Sequence, residues 1–293
     1  RTSGSPDGPV GTIFARVIGF GSVNVVADAT ARVTYATQVS CPLPLVLVDK
    51  WWEDASGTEP GPNDTYDPNS DPSDGEADIY VQGTTGWDES DYGTPIVLKS
   101  NQAGGGNSGG GGGPGGGGPP GQGGDDGGDN SGGGTFNPSW WGPWQPPGQQ
   151  GANDYRNNIQ SCNQTSGPYG IGDQLDNEPG NMVGPTNQGF EDLMQQDPSV
   201  SWSSSQDCVW DSDTNSCTTS SPRIRPILMI SPDEVPNAGR QPITARNWAG
   251  IFVEGKQGND WIGRFIELTG IDPSTGGGGS TGSGLIKTLQ LVE

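Results

Sequence analysis

The 293-residue sequence contains no histidine. Without it there is no Ser-His-Asp or Cys-His relay, no imidazole base poised near neutral pH and no imidazole ligand for zinc or copper. Carboxylate-pair hydrolysis and oxygen-ligated metals survive that exclusion. With 35 acidic residues, however, some pair of carboxylates always has a suitable spacing, so spacing alone identifies no active site. The reading is of a protein that is not an enzyme, with no catalytic residue assigned.

Basic residues are scarce too, 13 against those 35 acids, which gives a formal charge of −22. Nucleic-acid binding needs a basic footprint to displace phosphate counterions, and none is present. Adsorption to an anionic membrane is disfavoured for the same reason. The partners such a surface favours are cations, glycans, or copies of itself once the charge is neutralised. Only 29% of the residues are hydrophobic, and no apolar run approaches the roughly 20 residues that span a bilayer. The chain starts at Arg1 with no secretory leader, and it reads as a processed product whose targeting segment has been removed.

Glycine and proline are abundant instead: 52 and 26 residues. The excess is concentrated in a Gly-rich block at 104–134, with a shorter Gly/Ser linker at 273–284. The block lacks the Lys-Ser/Thr ending of a phosphate-cradling loop, so it reads as a flexible linker. Ordered polyproline-II-like packing is the alternative, with which Pro114, Pro119 and Pro120 are compatible.

Four cysteines, Cys41, Cys162, Cys208 and Cys217, fall one before the block and three after it. If all are oxidised, at least one bridge crosses the block. Cys208 and Cys217 flank a polar turn and suit a short closed loop, which leaves Cys41 with Cys162. Free thiols are the alternative; the spacings match no zinc pattern. Such pairing would make residues 1–103 and 135–272 one discontinuous globular domain.

Apolar periodicity predicts a short helix around Ile13–Ile18 and a long strand over Ser22–Val39. An apolar run after Cys41, two short strands at Ile79–Gln82 and Pro95–Lys99, and strands over Arg223–Ile230, Ile243–Val253 and Trp261–Leu268 follow. Thr186–Asp197 reads as a helix capped by Thr186 and stopped by Pro198. The fold class is therefore mainly β or α+β, a β-sandwich-like domain with one or two short helices and a long Gly-rich insertion. The terminal stretch 285–293, carrying Leu285, Leu289 and Leu291, is either a strand donated to a neighbouring subunit or one that folds back on its own sheet.

Gly11-Thr-Ile-Phe-Ala-Arg-Val-Ile-Gly-Phe-Gly-Ser-Val-Asn-Val-Val-Ala-Asp-Ala-Thr-Ala resembles the helix-to-strand segment of the TadE/TadG-like pilus-assembly proteins of bacterial Tad (Flp) systems. Cys41-Pro-Leu-Pro-Leu with Asp49-Lys50-Trp51 is similar to the next landmark of that family. Tyr169–Asp173, Glu178–Gly189, Ser221–Ile227 and Phe252-Val-Glu-Gly are similar in style as well. The resemblance covers about residues 11–52 and 155–268. It implies export across the inner membrane and a role in pilus assembly or the cell envelope, and it brings no catalytic residues. Proteins of that family begin with a membrane-spanning segment, which this sequence does not show, and the Gly tract is not a family hallmark.

The best candidate ligand site is Asp67, Asn69, Asp71, Asp74, Glu76 and Asp78, whose alternating oxygen side chains resemble a Ca²⁺ loop. Gly75 stands ninth from Asp67 where an EF-hand needs glycine sixth, and the rival reading is a solvated acidic loop. Asp211, Asp213 and Asn215 form a weaker version. Trp51, Trp52, Trp140, Trp141 and Trp144 either stack on glycan or pack in a core or subunit contact. The expected function is that of a secreted structural protein at the cell surface, self-associating or joined to other pilus or envelope proteins. A calcium-dependent, glycan-binding adhesin is the alternative.

Overall fold

A computed structural model describes residues 10–11, 22–23, 30–36, 38–61, 66–69, 77–100, 141–162, 167–178, 182–235, 241–270 and 286–292. The chain divides into two compact units, Thr34–Thr288 and Arg1–Val33 with Leu289–Glu293. In the smaller one, β1 (Val10–Gly11) pairs antiparallel with β2 (Ser22–Val23). The predicted helix around residue 15 lies outside the described residues. The predicted strand over 22–39 is represented by β2, β3 (Thr30–Tyr35) and β4 (Gln38–Val39).

The larger unit is built on β5 (Leu45–Val48), β6 (Pro95–Ser100), β7 (Trp141–Gln145) and β8 (Tyr169–Gly170), with helix α1 (Gly151–Gln160) between the last two. Then come β9 (Gln174–Asn177), α2 (Val183–Gln196) and three short strands, β10 (Val200–Ser203), β11 (Cys208–Asp211) and β12 (Ser216–Cys217). The last group is β13 (Ile224–Ile230), β14 (Pro242–Thr244), β15 (Asn247–Gln257), β16 (Asp260–Ile266), β17 (Leu268–Gly270) and β18 (Ile286–Val292). The fold is β-rich α+β, as expected from the sequence.

Eight strands form one curled sheet in the order β14-β9-β7-β5-β13-β15-β16-β6. It interleaves β5 and β6, which precede the Gly-rich block, with six strands that follow it. Although β6 and β7 are not neighbours in that order, they come within 8 Å of each other at their Cα atoms. The chain between Ser100 and Trp141 thus leaves and rejoins the sheet at two strands that approach each other.

Burial follows from what covers each face. The four residues of β5 are all buried, as are the first seven of β15. Unbroken burial means cover on both sides, which is why these strands read as apolar runs and not as alternations. Phe190 of α2 packs on Trp261 of β16, with ring centroids 4.9 Å apart. On the other side Phe252 and Ile266 close against Val200 and Val209 of the β10–β12 sheet. The helices meet at Gly189, where an added Cβ would stand 2.8 Å from the Ile159 Cβ.

Three details depart from the sequence reading. Thr186 does not cap α2: the helix begins earlier, after Met182 with its left-handed φ of 50°, and the Thr186 hydroxyl donates back to the Met182 carbonyl at 2.7 Å. Ile79–Gln82 is no strand but carries isolated bridges, Trp52 with Ile79 and Gln82 with Thr85. Helix α1 was not foreseen at all.

Strand β18 runs parallel to β17 of its own chain, in register Leu268 to Ile286. Ala36 N donates to the Ile286 carbonyl at 2.8 Å, and the Lys287 ammonium reaches Glu89 at 2.9 Å and Glu267 at 3.0 Å. Residues 286–288 of the terminal strand thus pair with β17 of the same chain.

Candidate functional site

Strands β5 and β13 run parallel, whereas every other neighbouring pair in the large sheet is antiparallel. Their C-terminal ends therefore open in the same direction, and both continue into charged sequence. Beyond β5 come Asp49, Lys50, Trp51, Trp52 and Glu53; beyond β13 comes the 3-10 turn Pro232–Glu234. The segment 77–93 lies against the end of β5, where the Trp87 indole donates to the Val48 carbonyl at 3.5 Å.

Asp49 is 2% exposed and accepts hydrogen bonds from the Lys50 amide (3.0 Å), the Trp87 amide (3.1 Å) and the Tyr80 hydroxyl (3.2 Å). Gly86, at φ +112°, lies against this carboxylate so closely that a Cβ would stand 2.9 Å from either oxygen. Burial lifts Asp49 from 3.8 to about 6, against the pull of those hydrogen bonds. These donors come from the residue next to it after β5 and from the 77–93 segment, and Asn247 at the start of β15 adds a side-chain hydrogen bond, so one carboxylate ties three pieces of chain together.

Lys50 points the other way. Its ammonium lies 2.8 Å from both carboxylate oxygens of Asp91 and 3.0 Å from Glu59, above the Trp87 ring at 5.4 Å from its centroid. Asp91 is held in turn by a capping box on the 3-10 turn Glu89–Asp91, where its Oδ2 accepts from the Asp88 amide at 2.8 Å. Burial holds Asp91 above its ordinary value even against Lys50. For Lys50 burial acts downward, but Asp91 and Glu59 outweigh it and hold the amine above its usual value. Trp51 donates to Glu53 at 2.7 Å, and its ring meets Tyr66 edge-on.

A second group of buried charges lies on β13 and just before it. Arg223 and Arg225 are buried and spend their guanidiniums on main-chain carbonyls. Lys99 of β6 is 1% exposed, and burial pulls it down to about 8.

The residues nominated from the sequence fare differently. Both disulfides form as expected: Cys41–Cys162 with a Cα separation of 5.1 Å and Cys208–Cys217 with 5.9 Å. Of the calcium candidates, Asp71, Asp74 and Glu76 lie outside the described residues. Of the other three, two carboxylates bind backbone amides: Asp67 N donates to Asp78 Oδ2 at 2.6 Å, and Asn69 N to Asp67 Oδ1 at 2.9 Å. Among the described residues no group of three or more His, Cys, Asp or Glu is placed to hold a metal ion. In the smaller acidic turn, Asp211 accepts from the Asp213 amide and the Thr214 hydroxyl.

Trp144 takes the packing role of the two read from the sequence: it is fully buried, donates to the Leu43 carbonyl at 3.0 Å and meets Tyr169 edge-on. Trp51 is equally buried. Trp140 and Leu285 lie outside the described residues. Trp141, Leu289 and Leu291 are placed as strand backbone, Trp141 opposite Leu47.

Lys50 and Asp91 were missed as a site. Their signal was a charged pair set directly after a fully apolar strand, Leu45–Val48, a position where a strand end delivers side chains to one place. Nothing in the sequence named Asp91 as the partner.

No family model matches the chain, and neither does a curated protein or a solved structure. Among the described residues no helix is long and apolar enough to cross a membrane.

Proposed function

We propose that the chain is an extracellular, non-enzymatic structural protein of a bacterial pilus-type apparatus, one that self-associates or joins other envelope components. The observation that carries this reading is where the motifs of the resemblance are used. Asp49 ties the end of β5 to the 77–93 segment, Arg223 and Arg225 hold helix ends, Gly189 sets the α1–α2 contact and Tyr169 packs on Trp144. Asp49, Arg223 and Arg225 spend their charge largely on backbone groups, as a structural component requires. The two disulfides are compatible with an oxidising compartment. The strongly acidic surface suits life outside the cell and makes assembly depend on charge neutralisation.

Negative-stain microscopy of the purified protein, at low salt and with added divalent cations, tests the reading. Regular fibres or arrays support it. Discrete particles that instead bind a glycan array would replace it with the adhesin alternative.

A further inference from the structure

We infer that Lys50 and Asp91 condense with each other to form an intramolecular isopeptide bond. The two residues lie 41 positions apart, one just beyond β5 and the other just before β6. Their side chains are only 6% and 8% exposed, and the amine is 2.8 Å from the carboxylate. An ordinary surface ion pair offers none of that desolvation. Here the hydration that normally keeps ammonium and carboxylate apart as ions has been removed, and proton transfer to the neutral amine and acid becomes accessible. Holding the two groups in contact supplies the proximity that a bimolecular amide synthesis in water lacks.

Two neighbours complete the chemistry. The Asp88 amide donates to Asp91 Oδ2 at 2.8 Å, which places a fixed donor on the oxygen that carries negative charge in a tetrahedral intermediate. Glu59 Oε1, 3.0 Å from the amine and itself 60% exposed on its side chain, can take a proton from Lys50 and hand it on. In the reaction the Lys50 Nζ–Asp91 Cγ bond forms and the Cγ–Oδ1 bond breaks. The two protons lost by the ammonium end on Oδ1, which leaves as water, while Oδ2 stays as the amide oxygen on the Asp88 amide. No oxidant, reductant or cofactor enters. The upward shift of Asp91 by burial favours the acid form from which water departs, and the charge held on Lys50 by its carboxylates is what makes a proton acceptor such as Glu59 necessary.

The inference does not rest on the pilus reading; an adhesin could carry the same bond. Its test uses the intact protein. Arg32, Lys50 and Lys99 are consecutive tryptic positions. After reduction and alkylation, the wild-type protein is expected to weigh one water less than its sequence with all four cysteines alkylated. Trypsin should then yield residues 33–99 as one unbroken species, because an acylated Lys50 is not cut, and fragmentation should locate the bond between 50 and 91. Full mass, with 33–50 and 51–99 recovered as separate peptides, overturns the inference. Glu59→Gln should slow bond formation about 100-fold, so that freshly purified variant is mostly uncrosslinked; equal crosslinking in wild type and variant would remove Glu59 from the mechanism. Lys50→Arg should restore full mass, and the wild-type result stands even if that variant does not fold.

Discussion

Arg223 and Arg225, two residues apart on the same side of one chain segment, each hold the carbonyl end of a different helix. Arg225 donates to the Asn158 and Ile159 carbonyls in the last turn of α1, and to those of Cys41 and Pro42. Arg223 donates to the Asp197 carbonyl just past α2, and to those of Val200, Val253 and Glu254. The carbonyl ends of helices carry partial negative charge and lack intrahelical partners, so a planar five-donor cation is well matched to them. Burial pulls both guanidiniums down to about 10, which leaves them charged at any ordinary pH.

Replacing Arg225 by Lys should therefore not be conservative. A single ammonium cannot reach four carbonyls on two segments, and each one orphaned in the core costs about 1–3 kcal/mol. Arg225→Lys is expected to lower stability by roughly 3 kcal/mol, read as a fall in the urea midpoint at unchanged m-value. A loss below about 1 kcal/mol would mean that water reaches these carbonyls.

Asp49 gives the protein a pH dependence of definite sign. Its folded value of about 6 lies above the ordinary 3.8, so between those limits the folded state binds the proton more tightly than the unfolded chain does. Its contribution is full below the lower value and lost as pH rises through the upper one, a change of about 3 kcal/mol. Asp49→Asn mimics the neutral form and should remove this dependence. Urea titrations at pH 4 to 7 should show the stability of wild type falling relative to the variant as pH rises. Parallel curves would contradict the assignment.

Within α2, one substitution should act with opposite signs at two sites. At Gly189 an added Cβ would stand 2.8 Å from Ile159 and 3.1 Å from the Arg156 carbonyl, whereas at Gly184 it meets nothing within 4 Å. Gly189→Ala is expected to cost about 1–3 kcal/mol by forcing the helices apart. Gly184→Ala should gain up to about 1 kcal/mol from helix propensity and lost chain freedom. Thermal melts of the two variants decide it.

The two disulfides should differ in worth because the loops they close differ in length, 121 against 9 residues of separation. Chain-entropy arguments give about 5 kcal/mol for the first and about 3 kcal/mol for the second. Serine pairs at Cys41/Cys162 and at Cys208/Cys217, compared by denaturant unfolding, should rank in that order.

The parts legible in the sequence are those where local pattern and tertiary demand agree. Leu45–Val48, residues 227–230 of β13 and the 248–253 part of β15 are largely apolar runs, and they became the buried centre of the sheet. Cysteine parity across the Gly tract pointed to the bridge that formed. Helix α1 was illegible because Gly151-Ala-Asn-Asp-Tyr-Arg-Asn-Asn-Ile-Gln160 is poor in helix formers, and only Tyr155 and Ile159 share an apolar face. Its stability comes from α2 and from Arg225, neither of which is local. The start of α2 was misplaced because Thr186 has the chemistry of a cap but uses its hydroxyl inside the first turn, on the Met182 carbonyl. At the candidate site Asp49 and Lys50 stood out in the sequence only through the Asp49-Lys50-Trp51 stretch of the resemblance, while Asp91 and Glu59 were brought in by loops whose path no periodicity records.

The most direct measurement cuts the chain inside 104–134 at an engineered protease site, reduces the disulfides, and passes the product over a sizing column without denaturant. Strands β5 and β6 are set among β7, β13 and β16, so both fragments are expected to stay together at the native volume. Two fragments that separate and each remain folded would show that the flanks of the tract are independent bodies, against everything built on their shared sheet.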